Sequence, residues 1–276
     1  MDTLEFTSSG RRWRAHLAQC FDLATALEFD GPQPRFFSGA SASSTPLQAG
    51  GFTGQVATGA SCNCSVHTLA PHCHGTHTEC VGHVTGDRTL LTQYTPVPPS
   101  LAALVTVQPV RLGSSEDTRP AICDAEDLVI SQSALAGAVL PWAEVPWTAL
   151  AIRTLPNEAA KRHKTYSGPC PAPYFTADAI QWIVARGVIS LVVDLPSLDR
   201  ADDGGALAAH RLYWGLPAGS SDVRQASRDR ALVTELAFVP DAAADGVYLL
   251  DLQVPAFAAD AAPSRPVLYP VKEATT

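Results

Sequence analysis

Hydrophobic positions in this chain fall in short blocks separated by polar, glycine- and proline-rich stretches, and the blocks outline a mixed scaffold. Residues 101–110 form a β-branched run suited to a buried strand, and residues 149–155 read as another. The clearest helix follows. Thr176 is a good N-cap, Ala179, Ile180, Ile183 and Val184 make an apolar stripe at helical spacing, and Gly187 stands where a C-terminal cap belongs. Residues 188–195 are almost continuously apolar and read as a central strand, so helix, glycine and strand make an α/β unit. Residues 232–236 place Glu235 inside an apolar run, and a charge there is costly to bury without a partner. It therefore lies either on the exposed face of an edge strand or facing a cation. Residues 246–254 and 266–271 complete the strands, residues 1–60 read as loops and short strands, 95–99 as a proline-rich turn, and the polar stretch 215–231 as an inserted loop.

Composition narrows the class. With 276 residues and 46% hydrophobic content, the chain is expected to form one domain over residues 1–276. A net charge of −8 argues against a nucleic-acid surface, so the expected partner is a small-molecule substrate. No stretch reaches the length of a membrane span, and residues 1–14 lack the apolar core of a signal peptide, so no membrane association and a cytoplasmic location are expected. The seven cysteines are scattered, without the density of a disulfide-stapled domain, and read mostly as reduced thiols.

The chemistry concentrates between His72 and His83, in the run His-Cys-His-Gly-Thr-His-Thr-Glu-Cys-Val-Gly-His. Histidine, cysteine and carboxylate are the usual ligands of divalent metals, and here they come at ligand spacing. Gly75 and the β-branched Thr76 and Thr78 disfavour a helix, so an extended segment is expected. In a strand, Cys73, Gly75, His77 and Glu79 share a face, and Gly82 eases a turn that returns His83 to them. His72 and His74 fall on the opposite face unless a bulge at Gly75 rotates one inward. The first ligand is thus His72 or Cys73. The plainer alternative is a buried polar strand whose histidines only hydrogen-bond each other and the backbone.

Gly75-Thr76-His77-Thr78-Glu79 followed by His83 resembles the signature His-x-Gly-Thr-His-x-Asp-x-Pro-x-His of the cyclase family, metal-dependent hydrolases that include kynurenine formamidases and isatin hydrolases. Cys73 stands where that signature has its first histidine, Glu79 replaces aspartate and Val81 replaces proline. A second landmark is Asp194, Pro196, Ser197 and Asp199 after the helix and strand, similar to the family's Asp-x-Pro-Ser-x-Asp. The resemblance implies an α/β fold, a swivelling β/β/α domain whose core is a mixed sheet or barrel-like, with few helices. It places Ser197 and Asp199 beside the metal pocket as supports, and makes His210 and Glu235 ligands of a second metal position. It also makes residues 1–60 a lead-in over the site, where Phe36, Phe37 and Phe52 either line an aromatic pocket or simply pack. The basic run 161–164 is either a solvated loop or a clamp for a substrate carboxylate.

One or two divalent ions are implied, zinc first and manganese second. His77 and either His72 or Cys73 would bind one, Glu79 would bind or bridge, and His210 with Glu235 would complete the second. His83 is a ligand or a proton shuttle, a role that suits imidazole near neutral pH. The implied reaction is hydrolysis of an amide, an N-formyl aryl amide or a cyclic amide, by an enzyme that is a homodimer or homotetramer. A catalytically silent binding protein, or a metal-dependent lyase or dehydratase, would use the same scaffold.

Overall fold

A computed structural model of the chain describes residues 2–37 and 40–274. Its frame is a large mixed sheet whose main path comprises β1 (Thr3–Ser8), β2 (Arg11–His16), β3 (His77–Glu79), β4 (Ser100–Val107), β5 (Ala149–Thr154), β6 (Ser190–Val193), β7 (Leu232–Glu235), β8 (Gly246–Gln253), β9 (Ala261–Pro263) and β10 (Arg265–Glu273). The order across the sheet is β1-β2-β10-β8-β4-β5-β6-β7-β3-β9, with Phe21–Asp22 paired to β10 beside it. Strands β4 to β7 are parallel to their neighbours, and the pairings at both ends of this block are antiparallel.

Parallel neighbours need crossovers, and helices supply them. α1 (Gln132–Val139) lies between β4 and β5, α2 (Ala177–Ala185) between β5 and β6, and α3 (Ala208–Trp214) between β6 and β7. Alternation along the strands feeds two cores. Leu101, Ala103 and Val105 of β4 pack with Leu135, Ile180, Ile183 and Tyr213 of the helices. Ala102 and Leu104 face the other way, against Leu23, Leu91, Tyr248 and Leu250. Because both faces of the parallel block are covered, its strands appear in sequence as apolar runs rather than alternating ones.

The expected helix forms as α2, with the Thr176 hydroxyl accepting the Ala179 amide at 3.1 Å and Gly187 at φ +76° ending it. Helices α1 and α3 have no counterpart among the elements expected from the hydrophobic pattern. α1 carries Gly137 and no clear polar stripe, and α3 is only 7 residues long. Strand β7 lies between β6 and β3, so Glu235 is buried at 3% exposure and the edge-strand reading fails. Residues 215–231 contain only a short 3-10 turn, Val223–Gln225, and are tied back by Arg228, whose guanidinium donates to the carbonyls of Tyr213 and Val188.

Candidate metal centre

Two adjacent strands assemble the centre's floor. β7 and β3 are antiparallel, with Glu235 directly opposite His77 and Val233 opposite Glu79. Residues two apart on a strand share a face, so His77, Glu79 and Glu235 converge, and Oε2 of Glu235 lies 3.5 Å from Nε2 of His77. Threonines fix this pairing. The Thr78 hydroxyl is 2.7 Å from that of Thr234, and the Thr76 hydroxyl donates to the Leu236 carbonyl at 2.7 Å. Leu236 itself has φ +51°, and Leu207, just before α3, has φ +45°. Non-glycine residues in this region carry backbone strain that the surrounding structure must hold, and both flank elements of the centre.

The segment before β3 departs from the extended form expected of it. Pro71–Cys73 makes a 3-10 turn and Gly75 adopts φ +145°, a conformation that suits glycine. The alternation over residues 73–79 is therefore broken. His72 comes to the centre, with Nδ1 2.9 Å from Oε2 of Glu79. Cys73 belongs to none of the metal-capable clusters among the described residues, and burial pushes its thiol pKa up, away from the thiolate that would bind a cation. His74 serves the backbone, accepting the Ala70 amide at 2.8 Å and reaching the Ala40 carbonyl at 2.8 Å.

Two more histidines close the ring. A 3-10 turn, Val81–His83, returns His83, whose Nδ1 is 3.9 Å from Oε2 of Glu79 and whose ring stacks on His72 at 4.2 Å. α3 delivers His210, with Nε2 3.0 Å from Oε1 of Glu79 and 3.3 Å from Oε1 of Glu235. Asp199 supports it by accepting the Ala209 and His210 amides at 2.7 and 3.1 Å. One member left no sequence signal. Asp260, from the loop before β9, has Oδ2 2.9 Å from Nε2 of His72 and 3.7 Å from Nδ1 of His83. Three overlapping groups can each hold a cation: His72, His77 and Glu79; His72, His83 and Asp260; Glu79, His83 and His210.

Electrostatics in the cluster favour positive charge at its middle. Burial opposes charging His72, yet Asp260 and Glu79 outweigh it and push its pKa up to about 10. His210 moves the same way, against burial, through the charge of Glu79 and its bond to Asp199. Burial likewise opposes ionising Glu79, but the facing His83 and His210 hold its carboxyl well below the usual range. Glu235 is lowered too, its contacts with His210 and His77 prevailing over burial and the Glu79 charge.

Hydrogen bonding separates a cation site from a polar core. Nε2 of His77, Nε2 of His210 and both carboxylate oxygens of Glu79 are buried without a hydrogen-bond partner, although they lie close together. A buried polar atom is ordinarily paired. Here unpaired atoms lie 3.0–3.5 Å from other ligand-type atoms without bonding to them, the spacing of groups that share a cation. The outward nitrogens are engaged: Nδ1 of His77 with the Gly75 carbonyl at 2.9 Å and Nδ1 of His210 with Asp199 at 2.7 Å. An outer partner on each imidazole is the usual companion of metal ligation. The residues present fit a divalent cation.

Several other candidates stand elsewhere. Asp194 accepts the Thr154 amide at 2.9 Å and lies 2.7 Å from Nζ of Lys161, whose remaining hydrogens go to the Thr154 carbonyl and hydroxyl. Lys161 is therefore not free to clamp a substrate, while Arg162, His163 and Lys164 are exposed, as expected of a solvated loop. Arg162 instead lies over the Phe238 ring at 4.1 Å. Lys161 and Asp194 border a cavity of about 620 Å³, which Tyr166 and Arg200 also line and the clustered histidines do not. Phe36 is buried against Tyr166 and Leu236, and Phe37 is exposed.

No curated protein sequence matches the chain. A solved structure described as a "predicted metal-dependent hydrolase" from Bacillus stearothermophilus is 14% identical, with a TM-score of 0.56 over 91% of this chain and 98% of its own. An isatin hydrolase bound to the product analogue thioisatinate is 15% identical, with a TM-score of 0.52 over 92% and 93%. A novel cyclase is 14% identical, with a TM-score of 0.59 over 91% and 87%. At such identity these likenesses show a shared fold. The sequence itself goes further, because residues 21–200 match the profile of the Cyclase family: this chain is a member of that family.

Proposed function

We propose that this chain is a metal-dependent hydrolase that cleaves an amide bond in a small molecule, an N-formyl aryl amide or a cyclic amide. The observation that carries this reading is the set of buried ligand atoms on His77, Glu79 and His210 that lie close together yet have no hydrogen-bond partner. Support also comes from the solved structures of the same fold, which include a predicted metal-dependent hydrolase and an isatin hydrolase. His72, His77 and Glu79 would hold one ion, and Glu79, His210 and Glu235 a second. Imidazole and carboxylate suit zinc, with manganese second.

A bound divalent cation supplies Lewis acidity, which brings the pKa of water from about 15.7 towards about 7 and polarises a carbonyl. The chain's own groups do the rest. His83 is one-quarter exposed at the rim of the cluster, 25% by side chain, and makes no close hydrogen bond to Glu79 or Asp260. Its ring is therefore free to take a proton from an attacking water and return it to the leaving nitrogen. Trp214 packs on His210 at 5.5 Å and keeps water from its buried side.

Elemental mass spectrometry tests the reading on protein purified without an affinity tag. One or two equivalents of zinc or manganese are expected, about the occupancy of a one- or two-metal hydrolytic site, with loss in His77→Ala. The loaded wild type should hydrolyse formanilide or isatin, and His77→Ala should not. Stoichiometric metal without hydrolysis of either amide would favour a binding protein or a lyase on this scaffold. No metal after reconstitution would overturn the proposal. A homodimer or homotetramer belongs to the same proposal and is checked by light scattering.

A further inference from the structure

At the position where the family signature has its first histidine, this chain has Cys73, and the imidazole comes one residue earlier. On a regular strand that shift would point His72 away from His77 and Glu79. The 3-10 turn Pro71–Cys73 and the φ +145° of Gly75 undo the alternation, but a turn alone does not choose which ring nitrogen faces inward. An outer partner does.

The three histidines around Glu79 with an anchored outer nitrogen follow one rule. His77 is anchored by the Gly75 carbonyl and His210 by Asp199, each through Nδ1, and each presents Nε2 to the centre. His72 is anchored the other way round, through Nε2 to Oδ2 of Asp260 at 2.9 Å, and presents Nδ1. Nδ1 is also 2.9 Å from Oε2 of Glu79, yet that oxygen has no hydrogen-bond partner. Equal distances thus conceal different contacts. Towards Asp260 the ring makes a directed hydrogen bond, while towards Glu79 it only comes near, as two ligands of one ion do.

Asp260 is held beside the strand that carries His77 and Glu79. Its carbonyl accepts the Cys80 amide at 3.0 Å, the Ala259 carbonyl accepts the Leu91 amide at 2.8 Å, and β9, which follows at once, pairs with β3. The side chain of Asp260 is 41% exposed, so it fills no core space. Nδ1 of His83 is 3.7 Å from Oδ2 of Asp260, longer than a hydrogen bond.

We propose that Asp260 is the positioning residue that makes His72, and not Cys73, the first metal ligand: by accepting a hydrogen bond from Nε2 it leaves the Nδ1 lone pair facing the cation. This rests on the metal-centre reading above. Loss of such an outer carboxylate typically weakens metal binding about 10–100-fold.

The test uses the full chain without a tag, stripped by chelation and reloaded with cobalt(II) or zinc. Zinc affinity is read by competition with a chromophoric chelator and the ligand set by the cobalt absorption spectrum. Wild-type protein should show cobalt d–d bands without a thiolate charge-transfer band, and Cys73→Ser should keep the wild-type spectrum and affinity. Asp260→Ala should lose about 10–100-fold in zinc affinity with a shifted cobalt spectrum and unchanged circular dichroism. Asp260→Asn, which keeps an acceptor oxygen, should recover part of that loss. A charge-transfer band abolished in Cys73→Ser, or wild-type affinity in Asp260→Ala, would overturn the proposal while leaving the metal centre standing. Failure of the wild type to bind either ion would overturn both.

Discussion

Oδ2 of Asp199 lies 2.7 Å from Nδ1 of His210 and 3.1 Å from the amide of the same residue. One carboxylate thus fixes both the ring and the start of the short helix that carries it, while its other oxygen takes the Ala209 amide at 2.7 Å. Asn in its place keeps one acceptor but cannot serve two amides and the ring equally. Asp199→Asn is expected to weaken zinc binding about 10–100-fold, checked by competition titration. Wild-type affinity would show that α3 places His210 without help.

Metal removal should cost stability as well as activity. Glu79 and Glu235 are buried beside each other's histidines, and a cation held there binds the folded chain alone. At 100 times its Kd such an ion stabilises the fold by about 2.7 kcal/mol. For a chain of this size that is a fall of roughly 5–10 °C in Tm when a chelator strips it. Differential scanning fluorimetry before and after chelation, then after zinc is restored, reads the effect. An unchanged Tm across the three would contradict a cation at this centre.

How far the centre could be read from sequence depended on what fixes each side chain. His77 and Glu79 sit on one strand, where a period of two decides the face, so their convergence was legible, whereas the pairing that brings Glu235 opposite His77 was not and only the family resemblance pointed Glu235 to the cation. His210 carries no signal of its own and was placed only by the family resemblance, from its position after the Ser197 and Asp199 landmark. The choice between His72 and Cys73 turns on the backbone at Gly75, a single torsion that local residue preferences leave open. Asp260 arrives from a loop nearly 190 residues away from its partner His72, a |i−j| of 188, and no local pattern announces it. Lys161 is similar, because its partner Asp194 ends a different strand. The parallel core strands were plain, being largely apolar, whereas α1 is too evenly apolar and α3 too short to show a helical stripe.

Gly82 separates Val81 from His83 at a point where the chain touches the Thr89 backbone. A Cβ on Gly82 would run into the Thr89 carbonyl and stand 3.3 Å from Cβ of Asp260. The obstacle is backbone, which no rotamer change relieves, so Gly82→Ala should cost about 1–3 kcal/mol and disturb His83 and Asp260 together. Gly137, inside α1, gives the contrast, because a methyl group added there would meet nothing within 4 Å. Gly137→Ala should raise stability by up to about 1 kcal/mol, since alanine is the better helix former. Urea midpoints of the two variants should move in opposite directions. A neutral Gly82→Ala would show that the turn carrying His83 yields freely.

Acid should weaken the fold through a carboxylate outside the histidine cluster. Asp127 accepts Nε of Arg200 at 2.9 Å, the Tyr174 hydroxyl at 3.1 Å and the Asp124 amide at 2.9 Å. Burial opposes its ionisation, but Arg200 and the Asp124 amide outweigh that and hold its pKa below the ordinary aspartate value. A carboxyl lowered in the folded state stabilises the fold above its unfolded pKa, about 3.9, and that contribution drains away as pH falls through the folded value. Asp127→Asn removes it outright and leaves the Arg200 guanidinium, 10% exposed, without its counter-ion. A loss of about 3 kcal/mol is expected at pH 7. The gap between wild type and Asp127→Asn should then narrow as pH drops below about 4, because the wild type is losing the same interaction by protonation. Urea unfolding of both proteins at pH 7 and at pH 3 measures it. A gap that stays constant across that range would mean that the pair holds residues 124–127 against residue 200 by shape and neutral hydrogen bonds, with the charge on Asp127 contributing nothing to the fold.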